Sequence, residues 1–196
     1  MRTIVWDVDD VLNSLMREWF RQAWMKEHPE CAVRYRDLTA NPPHLVLGVR
    51  REEYLASLDA FRKTGTGIHL EPRAELLDWF GEHGSRFRHI ALTARPLESA
   101  PDTAWWVLRH FGAWIRCFCV VPSRAQAGAP AYDLGKGDLL RWFGKGDVMV
   151  DDAQENLRQA HELGLKTVAW PQPWNNSKGD VAGTLRELTV KAEECD

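Results

Sequence analysis

From residue 72 onward, short apolar β-branched runs alternate with stretches of helical periodicity, and this alternation limits the possible folds more than any other feature. Pro72 suits a helix's first turn, and Leu76, Leu77 and Phe80 recur at helical spacing after it. The run 89–93 reads as a strand, 98–111 as a helix closed by Gly112, and 117–121 as a strand. A short helix over 136–143, a strand over 147–150, a helix over 153–163 closed by Gly164, a strand over 166–169 and a final helix near 180–193 complete the series. Residues 2–6 add an apolar strand at the start. Strands separated by helices need right-handed crossovers. The expected fold class is therefore α/β: a Rossmann-like parallel five-stranded sheet with helices on both faces.

Residues 13–70 interrupt this rhythm. Leu15, Met16, Trp19, Phe20, Ala23 and Trp24 mark an amphipathic helix over 14–27, ended by His28-Pro29. The stretch 29–50 reads as loop, 51–63 as helix, and Gly65-Thr66-Gly67 as a break. The expected division is a core formed by 1–12 and 71–196, with 13–70 as a small, mainly helical cap inserted after the first strand.

In open parallel sheets, ligands gather beyond the carboxyl ends of the strands. Asp7, Asp9 and Asp10 follow the first strand there, Thr93 ends the second and precedes Ala94-Arg95-Pro96, and Asp151 and Asp152 follow the fourth. Lys136 opens the helix before that fourth strand, just after Gly135. Crowded carboxylates repel, and a hard divalent cation relieves the repulsion. An all-oxygen donor set without nearby His or Cys suits magnesium. A hydroxyl and an ammonium beside it can hold phosphoryl oxygens.

These residues carry a resemblance. Asp7-Val8-Asp9-Asp10-Val11-Leu12 after an apolar strand is similar to motif I of the haloacid dehalogenase (HAD) superfamily. Ile90-Ala91-Leu92-Thr93 resembles its motif II, Lys136 its motif III, and Val148-Met149-Val150-Asp151-Asp152 its motif IV. The resemblance implies a phosphohydrolase with Asp7 as the nucleophile and Asp9 as the acid/base. It further implies Thr93, Ala94 and Lys136 around the phosphoryl group, and Mg2+ on Asp7, the carbonyl of Asp9 and Asp151, with Asp152 assisting. Proton transfer then requires the pKa of Asp9 to sit above that of Asp7. Arg95 reads equally as a substrate contact or as a solvated loop cation. Asp10, a glycine in many relatives, reads as a brace for the loop, and Lys145 is a rival to Lys136 poorly placed before a strand.

A narrower resemblance points to the 5′(3′)-deoxyribonucleotidase branch. It rests on the D-x-D-D-V-L start, on Thr93-Ala94-Arg95-Pro96, and on Pro171-Gln172-Pro173-Trp174-Asn175 after the last core strand. It implies nucleoside monophosphate substrates; another small phosphorylated metabolite, or a non-catalytic phosphate-binding relative, is the alternative. A receiver domain would need an Asp after the third strand, where Pro122-Ser123-Arg124 stands. A dehalogenase would leave the acids after the fourth strand without purpose.

The remaining features are plain. The net charge of −3 without a basic stripe argues against a nucleic-acid polymer as partner. No apolar stretch is long enough for a membrane, and acids interrupt the N-terminal run at once, so a cytoplasmic protein is expected. Cys31, Cys117, Cys119 and Cys195 form no C-x-x-C pair and read as free thiols. Most of the ten tryptophans are expected in the core, and Trp19, Phe20 and Trp24 within the cap rather than as a base platform.

Overall fold

A computed structural model describes residues 1–123, 130, 132–175, 177 and 179–194. Arg124 and Cys195 lie outside the described residues. The sheet has five parallel strands: β1 (Thr3–Trp6), β2 (Arg88–Arg95), β3 (Ile115–Pro122), β4 (Val148–Asp151) and β5 (Lys166–Ala169), in the order β3-β2-β1-β4-β5. This is the predicted fold class. β1 is central, so Asp7 emerges between β2 and β4, and its own N–H is fixed to the Val150 carbonyl at 2.9 Å.

The period-two alternation of the strands builds two cores. Ile4, Trp6 and Ala91 face one side, where α6 (Ala74–His83), α7 (Ala100–Phe111) and α10 (Val181–Glu193) cover them with Phe80, Phe111 and Leu188. Val5, Ile90, Leu92 and Met149 face the other, under Leu139 and Leu140 of α8 (Lys136–Phe143) and Leu157 of α9 (Gln154–Glu162). In the first core, His89 Nδ1 accepts the Trp6 indole N–H at 3.1 Å and its Nε2 donates to the Gly84 carbonyl at 2.8 Å. Both ring nitrogens are thereby satisfied in the neutral form, and burial holds the imidazole below its ordinary pKa.

Between β1 and α6 stand five helices: α1 (Leu15–Trp19), α2 (Met25–Glu27), α3 (His44–Leu47), α4 (Arg51–Arg62) and α5 (Gly65–Ile68). A wide helical turn over Phe20–Trp24 joins the first two. These elements bury a cluster of their own, with Trp19, Trp24, Leu38, Tyr54 and Phe61 at its centre. Trp19, Phe20 and Trp24 thus pack inside the inserted segment. The stretch 29–50 is more ordered than the loop expected of it. Tyr35–Asp37 forms a tight turn closed by Asp37 accepting from the Arg34 N–H, and α3 ends at Gly48 with φ 71°. Nor is Gly65-Thr66-Gly67 a simple break: Thr64 Oγ1 accepts the Gly67 N–H at 3.0 Å and starts α5. A Cβ at Gly67 would meet the Phe61 carbonyl at 2.0 Å, so the close turn demands glycine there.

Trp105 and Trp142 are exceptions to the buried tryptophans, 45% and 67% exposed. Both sit on helix faces turned from the sheet. Cys31, Cys117 and Cys119 are free thiols, and Cys117 and Cys119 share a strand face with sulfurs 3.9 Å apart. No described helix is long and apolar enough to cross a membrane.

Candidate active site

β1 delivers Asp7 at its tip, and the backbone then turns sharply: Asp9 is extended, and Asp10 takes a left-handed conformation with φ 62°. A non-glycine residue there costs conformational energy. Its own contacts hold it: Asp10 Oδ1 accepts the Met16 N–H at 3.0 Å, and its N–H donates to Asn13 Oδ1 at 3.2 Å. Its carbonyl accepts from Arg73 at 3.2 Å and from Gln172 at 2.6 Å. Asp10 therefore braces the loop.

Asp7, Asp151 and Asp152, all buried, offer carboxylate oxygens within 4.8 Å of one another. Lys136 Nζ lies 2.7 Å from both Asp7 Oδ1 and Asp151 Oδ2. Lys145 is elsewhere, lining a cavity with Thr3 and Arg88 at the opposite end of the strands. Asp151 also accepts from the Ala153 N–H at 2.8 Å and from the Asn156 amide at 3.1 Å. It thus caps the turn into α9 while facing the cluster. Neither Asn156 nor Trp174, whose indole N–H donates to Asp152 Oδ2 at 2.6 Å, was singled out by the sequence as a neighbour of these acids.

The electrostatics follow from this crowding. Burial raises the Asp7 carboxyl well above the ordinary range; Lys136 opposes this, and the charges of Asp151 and Asp152 add to it. Asp152 is pushed up to about 8 by burial and by Asp151 and Asp10. Burial would lower Lys136, but Asp151 and Asp7 outweigh it and hold the ammonium charged. Three crowded, buried oxygen donors are a fitting cradle for a small divalent cation, and magnesium suits their hardness.

Asp9 corrects an expectation. Burial alone would raise its carboxyl, but the Arg95 guanidinium outweighs that and brings it down to about 2. Arg95 Nε donates to Asp9 Oδ2 at 2.7 Å, and Nη2 forms a second, short bond to Oδ1. Arg62 of the inserted segment approaches Asp9 at 3.5 Å, and Asn13 donates to it at 3.2 Å. The sequence placed the pKa of Asp9 above that of Asp7, and the order is reversed. Both are buried, but Asp9 meets two guanidinium groups, while Asp7 has one ammonium to set against its burial and the charges of Asp151 and Asp152. Arg95 is not a solvated loop cation: it is 6% exposed, and Nη1 donates to Thr103 Oγ1 at 2.7 Å.

Thr93 is buried, and among the described residues its Oγ1 has no hydrogen-bond partner. It opens with Ala94 onto a cavity of about 200 Å³ above Asp7, Lys136 and Asp152. Met16, Tyr54, Leu58 and Arg62 of the inserted segment line its other side. An unsatisfied hydroxyl and a buried ammonium thus stand beside one carboxylate nucleophile candidate, a constellation able to hold an oxyanion.

No family model matches the chain, and no curated protein matches it. Its fold does match solved structures. A haloacid dehalogenase-like hydrolase from Streptococcus pneumoniae superposes with a TM-score of 0.62 at 14% identity, over 95% of this chain and 90% of that one. Protein tyrosine kinase A of Mycobacterium tuberculosis gives 0.63 at 15% identity, over 95% and 97%. A HAD-superfamily hydrolase of subfamily IA from Geobacter sulfurreducens gives 0.52 at 14%, over 97% and 96%. The chain therefore has the fold of haloacid dehalogenase-like hydrolases, with its acidic cluster at the strand ends.

Proposed function

We propose that this chain is a magnesium-dependent phosphomonoester hydrolase of the haloacid dehalogenase type, working through an aspartyl phosphate on Asp7. The observation that carries the reading is Lys136 bridging Asp7 and Asp151 in the cavity that Thr93 also lines, its hydroxyl without a partner among the described residues. An Asp7 oxygen attacks phosphorus, and the bond to the substrate's alcohol oxygen breaks. Lys136 and Thr93 hold the remaining phosphoryl oxygens as charge builds on them. Asp7, Asp151 and Asp152 would hold the magnesium ion, which supplies neutralisation of phosphoryl charge. Water then cleaves the aspartyl phosphate. Asp9 handles the proton in both halves, first to the leaving alcohol and then from water. Because Asp9 is ionised against Arg95, this role requires the Arg95 contact to loosen and Asp9 to take a proton from solvent before it can pass one to the leaving alcohol.

For the substrate we assign nucleoside monophosphates, supported by the Asp7-to-Leu12, Thr93-to-Pro96 and Pro171-to-Asn175 segments. The test is a phosphatase screen over nucleoside monophosphates and sugar phosphates, with and without Mg2+, beside Asp7→Asn. Mg2+-dependent turnover, abolished in D7N with an unchanged circular dichroism spectrum, is expected. Wild-type turnover by D7N refutes the mechanism. Preference for sugar phosphates refutes the nucleotide assignment alone.

A further inference from the structure

The loop after β5 leaves one unusual contact unexplained by phosphate chemistry. Asp7 and Asp151 are each held by Lys136 and by backbone N–H groups, but Asp152 has a different partner. Among the described residues, the hydrogen bond to its carboxylate comes from the Trp174 indole N–H, at 2.6 Å. A neutral donor orients a carboxyl group and adds no positive charge beside it. Asn175 fixes the loop from below, donating to the Asp152 carbonyl at 2.9 Å and to the Trp170 carbonyl at 2.7 Å.

The same loop grips the inserted segment. The Trp174 ring packs against that segment's cluster and meets Tyr35 edge-on, with centroids 6.2 Å apart at 84°. The Tyr35 hydroxyl donates to Gln172 Oε1 at 3.0 Å, and Gln172 Nε2 donates to the Asp10 carbonyl at 2.6 Å. Residues from three distant stretches thus converge on one metal-facing carboxylate and its neighbouring turn.

We propose that Trp174 is a positioning residue that aims Asp152 at a divalent cation, and that Tyr35 makes this aim depend on the inserted segment being seated on the core. The inference rests on the reading of the site given above. Its test is calorimetric titration of the whole chain with magnesium chloride alone, together with melting of the ion-free protein. Trp174→Phe keeps an aromatic ring and removes the N–H. It should weaken the ion by about tenfold or more, the range for lost partners of metal ligands, while ion-free melting stays at the wild-type temperature. Tyr35→Phe should weaken it in the same direction by a smaller factor.

An unchanged dissociation constant in W174F overturns the proposal, as does a loss matched by a drop in ion-free melting temperature. Loss in W174F with wild-type affinity in Y35F removes the tie to the inserted segment. Should W174F not fold, Y35F decides: wild-type affinity overturns the proposal, weaker affinity at wild-type melting supports it. If the wild-type chain takes up no magnesium, the reading of the site itself fails, and that outcome is distinct from all of these.

Discussion

Asp152→Asn should make the ion-free protein more stable, and the variant should gain less stability from magnesium than the wild type does. In the wild type, burial and the nearby charges of Asp151 and Asp10 push the Asp152 carboxyl up to about 8. An unfolded aspartate titrates near 3.9, so at about pH 7 the folded chain must keep this group protonated or repelled across roughly three pH units, a cost of about 4 kcal/mol. The Asn amide avoids that cost and can still accept the Trp174 N–H, but burying it costs about 1–2 kcal/mol. The net gain is about 2 kcal/mol, and for a chain of this size that is about 4–8 °C in melting temperature. The sign with pH is fixed. A carboxyl raised in the folded state contributes stability that is complete below about pH 4 and lost as pH rises through about 8, so ion-free wild type should weaken across that window and D152N less so. Magnesium should narrow this gap, and reverse it once D152N binds the ion more than about thirtyfold more weakly: at a hundredfold excess over its dissociation constant, a bound ion contributes about 2.7 kcal/mol, and D152N lacks one of its ligands. Melting followed by circular dichroism, in chelator and then in magnesium, reads both arms. If D152N melts below wild type in chelator and both rise equally with magnesium, the crowded-carboxylate reasoning is refuted.

Two further outcomes are expected. Thr93→Val should leave melting unchanged or slightly raised, because the hydroxyl it removes has no partner, while kcat/KM for a phosphomonoester falls about 10- to 100-fold through a lost charged hydrogen bond; a destabilised but fully active variant would contradict this. Asp9 is depressed to about 2, so its pairing with Arg95 stabilises the fold above about pH 4 and is lost as pH falls toward 2; Asp9→Asn should flatten that acid limb of the stability curve by about 2 kcal/mol, and an unaltered limb in acid titration would contradict the pairing.

The sheet and the acids at its strand ends were readable because both signals are local. A β-branched run stopping at Asp7 or Asp151 declares a strand and its carboxyl end within a few residues. Lys136 was readable because it opens a helix leading into that same edge. What escaped was pairing between distant stretches. Arg95 lies 86 residues from Asp9, and nothing near either residue names the other. One clue exists: Thr93 and Arg95 are two apart on β2, so a strand carrying the Thr93 side chain to one face carries Arg95 the same way. The relative pKa of Asp7 and Asp9 is hidden from the sequence for the same reason, since it depends on which charges face each carboxyl. Trp174 stands out in the sequence only as part of the Pro171-to-Asn175 segment, and its hold on Asp152 depends on where the loop after β5 folds back.

The central place of β1 has a consequence for how this molecule breathes. Asp7 stands on the strand bonded along both sides, and such strands are among the last parts of a domain to open. Lys136 rides on a two-turn helix, and Trp174 on a loop near the surface; both belong to regions that open at lower cost. Small local fluctuations would therefore displace Lys136 and Trp174 while the Asp7 carboxylate stays in place. The chain would pass through states with Asp7 held at the strand end and the surrounding cluster open well before it loses its sheet.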